Sequence, residues 1–298
     1  MNVSVILPAH QPHRERLART LEGLASQSLP IDQWQLLIID NASQPPLAVD
    51  LSRFPGARII AESRMGLSHA RRTGVRASSA EFLVFVDDDN LLAPDYLESA
   101  LDLMRTNPQV GAAGGASLPE FEAPPPDWSI PHHGLLALRD LGNAFMTATW
   151  NGEYPACAPI GAGMVLRRSA LGAWLNDSDT SLTDRCGKSL ASGGDNDIVL
   201  HVLKSGWEVA YSPGLRLTHL IPASRLEPAY LARLHESMQA SWMRVLTKHG
   251  CNPWFPIPRW TLHLRQWKAY FSCRAWEGPS ARISWHGACG HFAGRIPL

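Results

Sequence analysis

Three consecutive carboxylates, Asp87 to Asp89, form the residue pattern in this chain that points most specifically to a chemical function. They follow five apolar residues, Phe82 to Val86, a run too short for a helix and typical of a strand buried on both faces. Adjacent carboxylates repel one another, and burying them without compensation is costly. A divalent cation would compensate them, because Mg²⁺ and Mn²⁺ prefer oxygen ligands. An acidic turn before the next helix is the alternative, which this segment alone leaves open.

A further carboxylate, Asp40, closes the strand predicted at Gln35 to Ile39. The carboxyl ends of parallel strands meet at one edge of a sheet, where open α/β sheets bind their ligands. Asp40 can accept hydrogen bonds from a nucleobase or ribose at that edge. The Asp40-Asn41 pair is also ordinary turn chemistry, so the residue type does not decide between the two roles.

The segment from Ser63 to Gly74 combines a glycine loop with the start of a helix. Backbone N–H groups at such a start favour anions. Arg64 or Arg71 can add charge-assisted contacts to a phosphate. For Arg72 and Arg76 a solvated basic helix face is the preferred prediction.

Two residues in the second half of the chain are candidates for acid–base or metal chemistry. Asp195 lies at the start of the helix predicted from Asp195 to Lys204, where it can serve as a cap or as an ionised general base. Asp197 has the same two options. His219 follows a segment in which the apolar residues Leu215 and Leu217 alternate with polar ones. It is either a hydrogen-bonded core histidine or a neutral imidazole that binds a metal.

Strands that alternate with helical segments predict an α/β fold with a mostly parallel, Rossmann-type sheet flanked by helices. The prolines between Leu118 and Pro131 predict an irregular connector that leads to a second half. In that half, separate strands are predicted at Val209 to Tyr211 and Leu215 to His219, and an amphipathic helix at Tyr230 to Leu246. The predicted division is a nucleotide-sugar-binding half at 1–117, an acceptor-binding and catalytic half at 118–250 and a tail at 251–298.

Composition limits the function classes. The 298 residues carry 27 basic and 27 acidic side chains, so no global charge points to nucleic acid. The five cysteines (Cys157, Cys186, Cys251, Cys273 and Cys289) are widely spaced and form no CxxC pair, which favours a reducing compartment. The chain shows no signal-peptide pattern and no apolar run of the length that a membrane span needs.

The tail from Cys251 is rich in tryptophan and basic residues and contains one acidic residue, Glu277. Aromatic rings settle at membrane–water interfaces, and basic side chains are drawn to anionic lipid. The tail therefore predicts peripheral contact with the inner face of the cytoplasmic membrane by an otherwise cytoplasmic protein. Packing of the tryptophans against the rest of the protein is the alternative.

Several motifs occur together in an informative order. They are Val-Ser-Val-Ile-Leu-Pro8, Leu-Ile-Ile-Asp40-Asn41, Gly66-Leu-Ser-His-Ala-Arg71, Phe85-Val-Asp-Asp-Asp-Asn90, Gly161-Ala-Gly163, Asp195-Asn-Asp197 and His219. In this order and spacing, over about residues 2 to 247, the chain resembles the family 2 inverting glycosyltransferases with the GT-A fold. The sequence departs from the family at Gly194, where a glutamate is usual, and at Arg72, which replaces a frequent asparagine. It lacks the Gln-x-x-Arg-Trp motif that a processive synthase would carry after the position of His219.

The resemblance implies a nucleotide-sugar donor, a bound Mg²⁺ or Mn²⁺ ion and a saccharide or lipid-linked acceptor. Donor contacts are predicted at Pro8, Asp40, Arg64, Arg71, Asp87 and Asp88, and of these the resemblance matches Asp40 and Asp87 to residues of the family motifs. It implies that Asp89 and His219 are metal ligands and that Asp195 is the catalytic base.

The sequence therefore predicts a metal-dependent glycosyltransferase that acts in cell-surface polysaccharide or glycolipid synthesis. A nucleotidyltransferase could share the acidic strand end and the parallel sheet. A nucleotide-sugar-binding module without catalysis is a third alternative, which Gly194 supports.

Overall fold

The computed structural model describes residues 2–179, 182, 184–185 and 189–297. The strands in that part of the chain are β1 (Val3–Ala9), β2 (Trp34–Asn41), β3 (Arg58–Glu62), β4 (Phe82–Phe85), β5 (Asn90–Leu92), β6 (Val110–Phe121), β7 (Met146–Ala148), β8 (Val165–Arg167) and β9 (Glu208–Ile221). The α-helices there are α1 (Arg14–Ala25), α2 (Leu67–Ala77), α3 (Tyr96–Thr106), α4 (Gly172–Asn176), α5 (Gly194–Lys204), α6 (Pro228–Lys248), α7 (Leu262–Ser272) and α8 (Pro279–Gly294). Cys186 and part of the polar loop predicted from Asn176 to Ser192 within the second half lie outside the described residues.

One sheet organises the described strands, in the order β3-β2-β1-β4-β8-β6-β9-β5, and β7 pairs with β9. The pairs β3–β2, β2–β1 and β1–β4 are parallel. The pairs β4–β8, β6–β8, β5–β9 and β7–β9 are antiparallel. The predicted α/β architecture with helices flanking a central sheet is confirmed. The sheet is mixed rather than mostly parallel as predicted, because the parallel pairs are confined to the amino-terminal strands, where α1 and α2 supply crossovers.

Both faces of the sheet are covered, which explains why its central strands read as continuous apolar runs. In β1, Val5 and Leu7 pack into the core on one face, and Ile6 packs into the core on the other. Helix α2 lies close on the Ile6 face at Gly74, where an added Cβ would be 2.3 Å from Ile6 Cγ2. The carboxyl ends of the parallel strands are thereby held at fixed positions beside the start of α2.

The proline-rich segment between Leu118 and Pro131 is more regular than predicted. Strand β6 continues through Pro119 to Phe121, and Asp127–Leu136 forms 3₁₀ helix with Pro131 inside it. Pro119 is exposed near the end of its strand, where a missing N–H costs little. The short i→i+3 turns of a 3₁₀ helix likewise tolerate proline better than a long α-helix does. The prediction of an irregular connector is therefore wrong for these two pieces.

The two strands predicted around Pro213 and Gly214 are one strand, β9. Gly115 of β6 explains the continuity, because an added Cβ there would lie 1.9 Å from the Leu215 carbonyl oxygen and 2.5 Å from that of Ser212. The absent side chain lets the two backbones approach at the position where proline and glycine would otherwise interrupt the strand.

The chain divides into two compact units that interleave along the sequence. One unit contains the chain up to Glu120, Ala137–Ser178 and Asp197–Leu220. The other contains Phe121–Leu136, Asp179–Asn196 and the chain from Ile221 on. The functional division into consecutive segments at 1–117, 118–250 and 251–298 stays a prediction.

Close packing of α8 on α6 organises the second unit. A Cβ added to Gly290 would lie 2.0 Å from the Glu236 carbonyl oxygen, and one added to Gly294 would lie 2.5 Å from that of Ala240. Small residues on α8 therefore let the two helix backbones approach each other directly. Among the described residues, no helix combines the length and apolarity that crossing a bilayer would require.

Candidate active site

Asp40 is fixed at the end of β2 by the parallel pairing of Ala9 with Asp40. Its carboxylate is 7% exposed and accepts hydrogen bonds from the backbone N–H groups of Ser43, at 3.1 Å, and Leu47, at 2.9 Å. Burial opposes ionisation, but the hydrogen bonds from Ser43 and Leu47 outweigh it and hold the pKa of Asp40 below its ordinary value. The ionised carboxylate thus orders the loop after β2, and its contact with a nucleobase stays a prediction.

Pro8 lies beside this position, paired with Ile39 in the buried part of β1. Its predicted donor contact stays a prediction as well. The pairing nevertheless places Pro8 and Asp40 at the carboxyl ends of adjacent parallel strands, the edge where ligands of such sheets bind.

Asn41 is a structural residue of this edge that sequence reasoning missed. Its side-chain amide donates to the carbonyl oxygens of Glu62, at 3.1 Å, and Arg64, at 2.7 Å. Its Oδ1 accepts from the N–H of Gly66 at 2.8 Å. Because an amide both donates and accepts, this one side chain holds the loop that leads into α2. The available signal was an Asn after a strand together with a glycine before a helix.

Arg64 is paired within the chain. Its Nη2 lies 2.8 Å from Glu62 Oε2 and its Nε 3.0 Å from Glu62 Oε1. Thr73 donates to the same carboxylate at 2.5 Å. The hydrogen bonds from Arg64 and Thr73, opposed by burial, lower the pKa of Glu62 to about 2. Arg64 therefore stabilises the loop through Glu62, and its phosphate contact stays a prediction.

The Glu62 network gives a stability prediction with a defined pH window. A carboxyl group whose folded pKa is depressed adds stability above its ordinary pKa of 4.5 and loses it as the pH falls towards about 2. Glu62→Gln is expected to lower the unfolding free energy by about 2 kcal/mol at pH 7. In urea unfolding, the difference from the wild type should shrink as the pH falls from 5 to 3. Glu22→Gln, at an exposed carboxyl on α1, is the control, and a pH-independent difference would contradict this account.

Arg71 is the buried cation beside the acidic strand end. Its side chain is 3% exposed, its guanidinium lies 5.0 Å above the ring of Phe85, and its Nη2 is 3.4 Å from Asp87 Oδ1. Within the described residues, its buried Nε has no hydrogen-bond partner. An unsatisfied buried donor is costly, and a phosphate oxygen is an acceptor that guanidinium groups bind well. The site therefore fits an anionic ligand at Arg71.

Gly161 gives Arg71 the space it occupies. A Cβ added to Gly161 would lie 2.7 Å from Nη2 and 3.0 Å from Nη1 of Arg71. Gly161→Ala is expected to displace the guanidinium and to raise the Kd for the donor by about tenfold, the loss of one charge-assisted contact. Titration calorimetry measures this. Gly172→Ala, where no atom lies within 4 Å of the added Cβ, is the matched control and should bind as the wild type does. Unchanged affinity in Gly161→Ala would contradict a donor contact at Arg71.

Asp89 and His219, predicted as metal ligands, are brought together by the pairing of β5 with β9. In that register Asn90 lies opposite His219, and the N–H of Leu220 donates to the backbone carbonyl of Asp89 at 2.9 Å. His219 Nε2 is 3.3 Å from Asp89 Oδ2, and the two side chains are 6% and 7% exposed. Asn90 donates to the other carboxylate oxygen, Oδ1, at 3.1 Å. Residues that are distant in sequence thus form one nearly buried pair.

The residues at this strand end fit a divalent cation. Asp87 and Asp88 are half-buried next to the buried Asp89 and offer carboxylate oxygens, the ligand type that Mg²⁺ and Mn²⁺ prefer. His219 adds an imidazole nitrogen, which accepts a metal when it is neutral. A cation would also offset the like charge of the three carboxylates. The individual roles of these residues stay predictions.

Asp195 lies in the first turn of α5, half-buried, and its Oδ1 accepts from the N–H of Asn196 at 2.9 Å. This contact reaches the N–H of the next residue inside the helix, whereas a capping side chain accepts from an N–H two or three residues further on. Gly194, where the family has a glutamate, is a buried residue at the first position of the helix. The catalytic role of Asp195 stays a prediction.

The predicted solvated face of α2 holds for Arg76, which is exposed, and is wrong for Arg72. Arg72 stacks on the ring of Trp174 at 4.5 Å and donates to the Trp174 carbonyl oxygen at 2.6 Å. Burial lowers its pKa from the ordinary arginine value, although Asp197 and Asp177 oppose this. The carbonyl groups at the end of α4 attract a cation, which helical spacing on α2 alone does not reveal.

The family model "Glycosyl transferase family 2" matches residues 4–171 of the chain. This match covers more than half of the chain. It includes Asp40, Arg71 and the acidic strand end, and it stops before α5.

Curated relatives agree with this match. An N-acetylglucosaminyltransferase of Bradyrhizobium diazoefficiens is 26% identical over 269 residues, which are 86% of this chain and 51% of that protein. The succinoglycan biosynthesis protein ExoM of Rhizobium meliloti is 26% identical, over 74% of this chain and 68% of its own length. An uncharacterised glycosyltransferase of Haemophilus influenzae is 29% identical over 36% of each chain. The chain thus spans about half the length of the Bradyrhizobium protein and about a third of the length of the Haemophilus protein.

The fold also has a counterpart among solved structures. The crystal structure of S. aureus TarS 1-349 in complex with UDP superposes with a TM-score of 0.52 at 11% identity, over 99% of this chain and 90% of that one. The likeness confirms the predicted GT-A-like fold. On the family match, which covers more than half of its residues, the chain belongs to glycosyl transferase family 2.

Proposed function

We propose that the protein transfers one sugar from a nucleoside-diphosphate sugar to an acceptor hydroxyl, with inversion at the anomeric carbon. The observation that carries the proposal is the convergence of Asp87, Asp89, His219 and Arg71 at one strand end. Three of these side chains suit a cation and the fourth suits a phosphate, which is the combination that a nucleoside diphosphate requires. The family match supports the transferase chemistry, and the UDP in the TarS structure supports a uridine diphosphate sugar as the first donor to test.

The proposed donor site acts by charge and position. Asp87, Asp89 and His219 are the residues that would hold a Mg²⁺ or Mn²⁺ ion, which supplies positive charge to the diphosphate when bound. Arg71 supplies a guanidinium charge beside Asp87 for a phosphate group, and its seat on the ring of Phe85 holds that charge in place. Asp40 lies at the edge where the nucleoside would bind.

Asp195 completes the proposed reaction as the general base. Its carboxylate takes the proton of the acceptor hydroxyl while the acceptor oxygen bonds to the anomeric carbon. The bond from that carbon to the diphosphate oxygen breaks with its electron pair, so the products are an inverted glycoside and a nucleoside diphosphate. Holding both substrates in line supplies much of the acceleration.

The acceptor class proposed is a saccharide or a lipid-linked saccharide of polysaccharide or glycolipid synthesis. The match to the succinoglycan biosynthesis protein ExoM, over two thirds of its length, supports this class. A free hydroxyl on a growing glycan is also the nucleophile that the proposed base requires.

A donor screen tests the proposal. The purified full-length protein is incubated with a panel of UDP-, GDP- and dTDP-sugars, with Mn²⁺, with Mg²⁺ and with EDTA. Cation-dependent release of a nucleoside diphosphate from one donor is the expected result. Release of pyrophosphate from a nucleoside triphosphate and a sugar phosphate would instead show nucleotidyl transfer. Binding of a nucleotide sugar without turnover in the presence of glycan acceptors would favour a module without catalysis.

A further inference from the structure

Five large apolar side chains lie exposed on and around α7 and share one side of it. We call them the aromatic face: Trp260, Leu264, Trp267, Phe271 and Trp276, which are 76%, 66%, 69%, 55% and 52% exposed. The positions 260, 264, 267 and 271 follow the three-to-four-residue spacing of one helix face. Apolar side chains clustered in this way on a surface mark a contact site, whereas scattered ones need no explanation.

The opposite side of α7 already packs against α8. Ala269 is buried, Trp285 Nε1 donates to the Gln266 carbonyl oxygen at 3.0 Å, and the rings of Tyr270 and Trp285 meet edge to face at 5.3 Å. Helix α7 is therefore seated by one set of residues and presents another set outward. Of the tail tryptophans, Trp285 packs inward, as the alternative to membrane contact predicted, but Trp260, Trp267 and Trp276 do not.

The exposed rings are also held by one another. The centroids of Trp267 and Phe271 are 5.8 Å apart, those of Phe271 and Trp276 5.9 Å, and those of Tyr270 and Trp276 5.8 Å. Side chains that are already ordered lose little rotamer freedom when they bind. The aromatic face is thus preorganised for contact with a partner.

Basic residues accompany the aromatic face along the chain. Arg259 and Lys268 are exposed next to Trp260 and Trp267, Arg274 is exposed two residues before Trp276, and Arg282 is exposed in the first turn of α8. The acidic side chain of this segment, Glu277, is paired with Arg274 at 2.5 Å. This charge complements an anionic surface, and it would make two such faces repel each other, which disfavours a second copy of the chain as the partner.

We propose that the aromatic face of α7 docks on the surface of an anionic lipid bilayer. Tryptophan and phenylalanine settle at the boundary between headgroups and acyl chains, and each basic residue near the surface adds attraction to anionic lipid. The short α7 lies in the plane of this boundary with Lys268 and Arg259 at the headgroups. The inference stands on the second unit alone and does not depend on the proposed sugar transfer.

Vesicle co-sedimentation of the full-length protein tests the docking. Vesicles of phosphatidylcholine alone are compared with vesicles that also contain phosphatidylglycerol, at low and high salt. The wild type is expected to bind the anionic vesicles, and less at high salt. The double variant Trp267→Ser/Phe271→Ser should bind at least about tenfold more weakly, since two aromatic side chains no longer enter the bilayer. The matched control, Phe145→Ser, removes an exposed aromatic ring of the first unit and should bind as the wild type does.

Three results would overturn the proposal. They are the absence of wild-type binding, equal binding by the double variant, and self-association of the wild type that the double variant abolishes, since the last makes a second copy the partner. The thermal midpoint of the double variant should equal that of the wild type. If it does not, Lys268→Glu/Arg282→Glu, which leaves all rings in place, must show the loss of binding to anionic vesicles instead. Nucleotide-sugar turnover with a soluble acceptor should be unchanged in all these variants, which separates a failure of docking from a failure of the proposed function.

Discussion

Asp89→Asn is expected to weaken cation-dependent binding of the nucleoside diphosphate by at least about 100-fold, because it removes the charge of a proposed metal ligand. The substitution keeps the shape of the side chain, so Asn90 can still donate to its Oδ1 and the packing beside His219 is kept. Removing one of three adjacent carboxylates also relieves repulsion, so the unfolding free energy should change little. The expected phenotype is thus lost binding in a folded protein.

Titration calorimetry with Mn²⁺ and the nucleoside diphosphate identified in the donor screen measures this effect, with and without EDTA. Asp32→Asn, at an exposed carboxylate away from the sheet edge, is the matched control and should leave the affinity unchanged. The metal assignment fails if Asp89→Asn binds the nucleotide as tightly as the wild type and with the same response to EDTA.

Asp195→Asn is expected to retain donor binding and to lower the rate of transfer by about 1,000-fold, the scale of a lost general base. Asparagine separates the two roles of this residue. Its side-chain oxygen can still accept the N–H of Asn196, so the contact in the first turn of the helix is kept. It cannot take a proton from the acceptor hydroxyl, so only the chemical step is expected to suffer.

Single-turnover transfer assays and the thermal midpoint together decide the role of Asp195. Loss of transfer with an unchanged midpoint supports the base, and a lowered midpoint with proportionate loss of activity supports a structural role. If transfer continues at nearly the wild-type rate, the base lies elsewhere. Asp197→Asn is then the next variant, although Asp197 is 4% exposed and lies 3.7 Å from His201, so its stability needs the same control.

The sequence predicted the acidic strand end because a buried strand followed directly by three carboxylates is a local pattern. It also predicted α2 and α5, whose spacing and starts are local features. The prediction for Asp89 and His219 drew on the resemblance, and no local pattern shows that the two side chains lie 3.3 Å apart. That distance depends on strand pairing, which each strand alone does not specify.

Other parts of the site depended on tertiary partners and were missed for that reason. Asn41 reads as a turn residue until the carbonyl groups of Glu62 and Arg64 are placed beside it. Arg72 reads as solvated until Trp174 covers it. Gly115 reads as a weak point in a strand, although its missing side chain is what lets β6 and β9 approach.

The pairing of Asn90 with His219 also bears on the order of folding. Strand β5 lies at the end of the sheet, and its partner β9 comes from a remote part of the chain, so closing this contact costs more entropy than the local pairings do. A slip of one residue would place Thr218 or Leu220 opposite Asn90 and turn His219 to the opposite face of the sheet. A chain with every helix formed but this edge misregistered would lack the Asp89–His219 pair. Stabilisation of the refolding protein by Mn²⁺ would then show when β5 has paired with β9 in the native register.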